Sequence, residues 1–440
     1  MKRLRAVFAD ERGVAVVLGL VALLALTALV LAFLSVSSFE PQIAANLEAG
    51  TRARYLAEAG IEAAFDSLAT ADWSTALTGA TCDTGVLVPT TAAGSTLPGR
   101  TTASGTYTVR VRNDCYAGNG STLSSDRVFT GLAALDATAT TDTNSRLILV
   151  STGTIGTATR TIKVVLKRVQ LPTINGALSF PGVNADIDFS GSSFTIRGVD
   201  TQMGSEADGT GAAVYGISVG VAANESDIDT ALANNQQNSV SGKDQTNPSA
   251  TTTGDNTAAY DTTLTSSAVT DFVNAVKGLA DVSINAPSTS PYSASNIGDS
   301  CASDINSATC WGTESHPKIV YIKGDSTGST QYNALDLSGS TSGVGILIVE
   351  NGNVDITGNF TWKGPVIITG TGVKIRYHGG GNQAIWGAVI VNELSNDGDN
   401  ALEADISGNA KIYYSTEAID NAMDGVGGRR LMSLYNWTEQ

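Results

Sequence analysis

The sequence predicts two fold classes in series. An α+β unit, made of a long N-terminal helix and an antiparallel sheet, comes first. A mainly-β solenoid of the parallel β-helix kind, with a helical insertion, follows it. Three observations predict this. Residues 14–39 run for 26 residues without a charged side chain and pass directly into helix-forming sequence. Strand-period alternation recurs between residues 105 and 170. From residue 176, short apolar bursts alternate with glycine, several of them six residues apart. A chain of 440 residues has room for two or three such domains.

The uncharged run lies within "ERGVAVVLGLVALLALTALVLAFLSVSSFE", residues 11–40. At about 1.5 Å per residue it is long enough to cross a hydrocarbon layer of roughly 30 Å. A cleaved secretory segment has a shorter apolar core, about 7–15 residues, and ends at a small-residue site; no such site follows here. Residues 1–13 carry four basic and two acidic side chains, which leaves 22 basic and 40 acidic side chains beyond them. That flank predicts a cytoplasmic N-terminus, with everything after the span exported. An acidic exported portion argues against nucleic acid and anionic membrane surfaces as partners.

The next stretch, "QIAANLEAGTRARYLAEAGIEAAFDSLA", is rich in helix formers and has no proline after Pro41. Ile61, Phe65 and Leu68 recur at i, i+4 and i+7, with Ala57 and Ala64 on the same side. One helix is therefore expected to leave the membrane and pack its far half on a globular unit, bending near Pro41. In "GTYTVRVRN", Tyr107, Val109 and Val111 alternate with Thr108, Arg110 and Arg112, the pattern of a half-buried strand. "SRLILVSTGTIGTATRTIKVVLKRV" adds two strands about a Gly/Thr turn, with Ile162, Val164 and Leu166 on one face. Residues 40–170 thus form the α+β unit. The four cysteines fall into two close pairs, Cys82 with Cys115 and Cys301 with Cys310. In an exported chain these are expected disulfides, because a metal site needs C-x-x-C spacing or clustered histidine, and the chain has only His316 and His378.

Arg12-Gly13 before the uncharged span resembles the class III leader of type IV pilin-like proteins, in which a prepilin peptidase cuts after the glycine. "NLEAGTRARYLAEAGIEAA" is similar to the region after the span in PilX-type minor pilins, where an A-E-A-G segment occurs. The resemblance implies that residues 1–13 are a leader, that Gly13 and Val14 flank the cut, and that the peptidase methylates the new Val14 terminus. Two positions depart from the family pattern. The first mature residue is usually Phe and here is Val14; the fifth is usually Glu and here is Leu18, a change shared by several minor pilins. The likeness covers residues 1–70 well and 105–170 loosely. A plain single-span anchor is the competing reading, but an anchor has no need to merge into "AEAGIEAA", whose small residues allow close helix approach.

The second half, 176–440, reads differently. In "NGNVDITGNFTWKGPVIITGTG" the glycines Gly352, Gly358, Gly364 and Gly370 are evenly spaced. Val354 and Ile356, Phe360 and Trp362, and Val366 and Ile368 follow three of them at two and four positions. Short strands that aim two side chains inward and end at a glycine turn suit stacked rungs, with ordinary antiparallel hairpins as the alternative. Earlier bursts place Ile187, Phe189, Phe194 and Ile196 in the same pattern. The glycine-rich rungs also look like the C-terminal region of large PilX-like proteins. Residues 199–316 read as an insertion with two helices, one of them striped by Val269, Phe272, Val273 and Val276. The terminal "RRLMSLYNWTEQ" reads as a cap on the stack.

Chemistry-bearing constellations are thin. Asp186, Asp188, Asp200 and Asp355 fall near the rungs, but aspartate beside glycine is a common turn residue. His378 in "RYHGGGN" has no partner identifiable from sequence, and "GGG" lacks the context of a phosphate loop. Asp136, Asp142 and Asn144 do not match the spacing of a calcium loop. No cofactor, metal or enzymatic activity is expected. The reading is a minor pilin-like structural subunit of a type IV pilus or related pseudopilus, acting in assembly priming or at the filament tip. Its expected partners are other pilin subunits, the prepilin peptidase, the inner membrane before assembly, and a surface or glycan ligand. Expected location is the inner membrane by a single pass, then the pilus or cell surface. An adhesin or glycan-binding module displayed by the same helix is the alternative, followed by a polysaccharide-active enzyme.

Overall fold

In the computed structural model the described residues are 11–69, 71, 73–88, 94–115, 136–233, 235–243, 258–327, 331–395, 402–425 and 431–439. They divide into two compact units, Met1–Leu166 with Leu434–Gln440, and Lys167–Ser433. Together they show a long N-terminal helix followed by mostly β structure with parallel sheets.

Helix α1 runs unbroken from Glu11–Ala69 and passes through Pro41. Its two halves have opposite surroundings. Ala53, Leu56, Ala57, Ile61, Ala64 and Leu68 are buried against a five-stranded sheet, the i, i+3, i+4 stripe expected of a helix with one covered face. Phe65, placed on that stripe by its spacing, is half-buried. The sheet has the order β1 (Val86–Leu87), β2 (Thr106–Asn113), β3 (Arg146–Ile155), β4 (Ala158–Arg168) and β22 (Met432–Glu439). β2 pairs antiparallel with β1 and β3, and a Gly156-Thr157 turn joins β3 to β4. Tyr107, Val109 and Val111 face inward as the alternation requires. Arg112 departs from it: the side chain is buried and its Nη1 donates to the carbonyls of Cys82 and Asp83 at 3.2 and 3.3 Å. Helix and sheet approach closely because Gly153 has no side chain. A Cβ there would lie 2.0 Å from the Ala53 carbonyl oxygen and 2.6 Å from the Ala57 nitrogen.

The second unit is built from parallel ladders. One path runs β10 (Ala258–Tyr260), β8 (Tyr215–Val219), β5 (Gly176–Phe180), β19 (Gln383–Glu393), β17 (Asn359–Gly370), β15 (Ser340–Glu350), β13 (Lys318–Lys323) and β11 (Val282–Asn285). A second sheet runs β12 (Tyr292–Ala294), β14 (Asn333–Leu337), β16 (Asn353–Ile356), β18 (Ile375–Tyr377), β20 (Ala404–Ser407) and β6 (Ile187–Ser190). A short branch adds β21 (Ala410–Tyr414), β7 (Thr195–Arg197) and β9 (Val240–Ser241) beside β19. Register aligns one apolar row through Val320, Leu347, Val366, Val389, Leu178, Ile217 and Ala258. These strands are apolar without alternation because both faces are covered, one of them by the Thr416–Gly425 helix. β15, β17 and β19 each bend at a glycine with positive φ: Gly345, Gly364 and Gly387 at +130°, +128° and +142°. The column admits no side chain, since a Cβ on Gly364 would lie 2.1 Å from the Gly345 carbonyl oxygen.

Strand order removes one alternative and corrects two sequence expectations. Every strand ladder described in this unit is parallel, so the hairpin alternative does not hold. Residues 199–316 are not an insertion outside the stack: they supply β8, β9, β10, β11 and β12. The chain begins in mid-stack with β5, builds outward to β10, then returns along the sheet in the Ser266–Val276 helix to start again at β11. On the way Asn392 Nδ2 donates to Ser266 O at 3.3 Å, and Lys277 Nζ meets Glu350 at 2.9 Å. Val269, Phe272, Val273 and Val276 are the buried face of that helix, as their stripe predicts. The terminal strand β22 does not cap the stack but takes the edge beside β4.

Gly153→Ala should cost about 1–3 kcal/mol of stability, because the clash is with helix backbone that cannot turn aside. Gly278→Ala, where a Cβ meets nothing within 4 Å, should change stability by less than about 0.5 kcal/mol. Denaturant unfolding of the detergent-solubilised chain checks both, and equal effects would contradict the close helix–sheet approach.

Candidate functional site

Among the described residues, most of the exposed large apolar side chains lie on the first part of α1. Val14 and Leu18 are 57% and 63% exposed, and the apolar window is long enough to cross a membrane with none of it buried in the protein. Gly13 lies in the first turn of the same helix. Residues 1–10 of the expected leader lie outside the described residues. Among the described residues nothing covers the near half of α1, while the far half is covered by the sheet.

Each cysteine pair is bonded, Cys82 to Cys115 and Cys301 to Cys310, with Cα atoms 5.4 and 4.7 Å apart. Beside Cys115 sits a knot of carboxylates. Asp114 accepts from Asn144 Nδ2 at 3.1 and 3.0 Å and from the Asp136 amide. Asp136 accepts from the Thr143 amide and hydroxyl, and Asp142 from the Arg146 amide. These oxygens are already engaged within the loop, and no group of three His, Cys, Asp or Glu among the described residues is set to hold a metal. Burial, reinforced by the Asp136 charge, pushes the Asp142 carboxyl up to about 6 against the pull of the backbone amides; burial also raises Asp114.

The remaining aspartates separate into different roles. Asp200 is buried and accepts from the amides of Gly211 and Thr416 and the Thr416 hydroxyl, which fixes the start of the Thr416–Gly425 helix. The Asp186 amide donates to buried Glu403 at 2.6 Å. Asp355 and Asp188 share one face of the second sheet, in a row of Asp336, Asp355, Arg376, Asp405 and Asp188. His378 has the partner that sequence did not reveal: its Nε2 lies 2.6 Å from Asp355, which also accepts from Asn333 at 2.8 Å. Arg376 sits between the carboxylates, 3.0 Å from Asp405 and 3.7 Å from Asp355. The only available signal was the stack's own register, which brings residue 355 beside 376. Among the described residues no Ser, Thr or Cys side chain bonds this imidazole, so the group lacks a positioned nucleophile.

Sequence reading also missed an exposed edge. Leu434, Tyr435 and Trp437 of β22 are each more than half exposed. Leu434 and Trp437 line a groove of about 260 Å³ with Arg54, Glu58 and Glu62 of α1.

No protein-family model and no curated protein matches the chain. Among solved structures, the competence-associated pilin ComZ from Thermus thermophilus is similar at 13% identity and a TM-score of 0.24, over 89% of this chain and 97% of that one. A score of 0.24 establishes no shared fold.

The raised Asp142 carboxyl has a signed consequence. It holds its proton more tightly folded than unfolded, so its contribution to stability falls as pH rises from about 4 through 6. Protection factors for hydrogen exchange across residues 136–146, with the pH dependence of intrinsic exchange divided out, should therefore be higher at pH 5 than at pH 8. Asp142→Asn should remove most of that difference. Protection that increases with pH would overturn the assignment.

Proposed function

We propose that the chain is a pilin-like minor subunit of a type IV pilus or related pseudopilus, and not an enzyme. The supporting observation is the continuity of α1: an uncovered apolar half merges without a break into a half that packs on a sheet. A lipid anchor alone needs only the first half. A helix that must exchange lipid for neighbouring helices needs the two rigidly joined. In this reading the span waits in the inner membrane with the N-terminus inside, a prepilin peptidase cuts between Gly13 and Val14 and methylates Val14, and the helix then enters a bundle of other subunits' helices. The PilX-type likeness of residues 1–70 supports a minor subunit over a major one.

Position in the filament follows from two features. Leu18 stands where a glutamate would answer the neighbouring subunit's terminal amine, and a subunit at the tip has no neighbour above it. The stacked parallel strands, which we read as turns of a β-helix, add some 267 residues to each copy. Such a load suits one or a few copies at the end of a filament. Display of the stack as an adhesin is the second reading, favoured by its extent.

Mass spectrometry of protein from a host with an active prepilin peptidase should find an N-methylated Val14 terminus, and Gly13→Leu should leave the leader attached. Gold labelling against the 167–433 unit should mark filament ends. An intact Met1 terminus, or regular labelling along the shaft, would contradict these assignments.

A further inference from the structure

The loop stapled by Cys301–Cys310 is held against the sheet by several contacts. Lys318 Nζ donates to the carbonyls of Ile305 and Cys310, and isolated parallel bridges tie Ile297 to Thr341 and Trp311 to Gly343. Gly298 and Gly312, at positive φ, let the loop lie flat on β15: a Cβ on either would come within 2.2 Å of Ser342 or Val344. Held this way, the loop walls a cleft of about 550 Å³, within the roughly 300–1,000 Å³ span of small-molecule sites.

The floor is the outer face of β15 and β17. Ser342 lies opposite Thr361 and Val344 opposite Lys363 in register, so their side chains stand on neighbouring strands about 4.8 Å apart. Trp311 and Trp362, both fully buried, support it from below. On the loop side, Thr313 and Ser315 place their hydroxyls 3.3 Å apart, and Ser315 is held by His316 Nδ1 at 2.9 Å. Neither the Ser342 nor the Thr361 hydroxyl bonds another protein group among the described residues. Lys363 is the one cation in the lining and is already paired with Glu314.

That chemistry selects its ligand. An anion would find the single cation neutralised. An apolar ligand would strand the Ser342 and Thr361 hydroxyls and cover an ion pair, each at a desolvation cost. A ligand carrying many uncharged hydroxyl groups satisfies all of them, as both donor and acceptor. The geometry points to a binding site for a neutral saccharide, with Ser342, Thr361 and the Lys363–Glu314 pair bonding its hydroxyl groups between the disulfide loop and the sheet. A prebuilt wall lowers the ordering cost of such binding. Use of the site at a cell surface rests on the displayed-subunit reading above; the binding itself does not.

The test is a printed array of neutral and acidic oligosaccharides with a single-stranded oligonucleotide as a further probe, followed by titration of retained sugars, all with the detergent-solubilised full chain. Retention of at least one neutral oligosaccharide is expected. Thr361→Trp, which fills the cleft, should abolish it. Ser342→Ala combined with Thr361→Val, a milder change that leaves the melting temperature in place, should weaken it about two- to ten-fold or more. The proposal is overturned if no neutral sugar is retained, if both variants bind as the parent does, or if the variants lose an acidic sugar or the oligonucleotide instead. None of these outcomes depends on leader processing or filament labelling, so this inference and the assembly reading fail separately.

Discussion

Eighteen large apolar side chains between positions 14 and 47 are each more than half exposed on α1. Burying such a side chain is worth about 1.5–3 kcal/mol, so the helix carries an uncovered free energy on the order of tens of kcal/mol. A folded domain is stable by only about 5–15 kcal/mol. No rearrangement within this chain could offset exposing that surface to water. The helix therefore needs a partner phase, either lipid or apolar surface supplied by other chains. The far half is covered by the sheet, which Gly153 lets approach the helix backbone closely.

The stack in the second unit answers a different constraint. Parallel strands need covering on both faces and a connection that returns to the starting edge. Here short turns between successive sheets make the return, with Gly345, Gly364 and Gly387 at one corner. The chain also starts in the middle of its own stack, and so must travel back once along the outside. The Ser266–Val276 helix makes that journey, held by Asn392 and then by the Lys277–Glu350 pair. Glu350 also accepts from Tyr321, so one carboxylate ties the returning segment to two neighbouring strands.

Much of this was legible in local pattern. The stripe from Ala57 to Leu68 marked the covered face of α1, and alternation at Tyr107, Val109 and Val111 marked β2. The six-residue glycine spacing placed Val354, Ile356, Phe360, Trp362, Val366 and Ile368 inward, and all six are buried. What was not legible is order in space. Val389 pairs with Leu178, more than two hundred residues away in the chain, and nothing in either strand names the other. The same limit hid β22 at the edge of β4, His378 beside Asp355, and Ser342 beside Thr361. Arg112 was misread for a related reason, because its buried environment is created by the disulfide loop around Cys82.

The proposition that the near half of α1 ends among other subunits' helices is tested most directly by placing a photo-crosslinking amino acid at Leu24, which is 63% exposed. Irradiation of sheared, purified filaments should give adducts between this chain and the N-terminal helix of another subunit. In cells unable to assemble filaments, the same position should give lipid adducts instead. Lipid adducts alone in both preparations, with the chain absent from purified filaments, would show a permanent membrane anchor and contradict the assembly role.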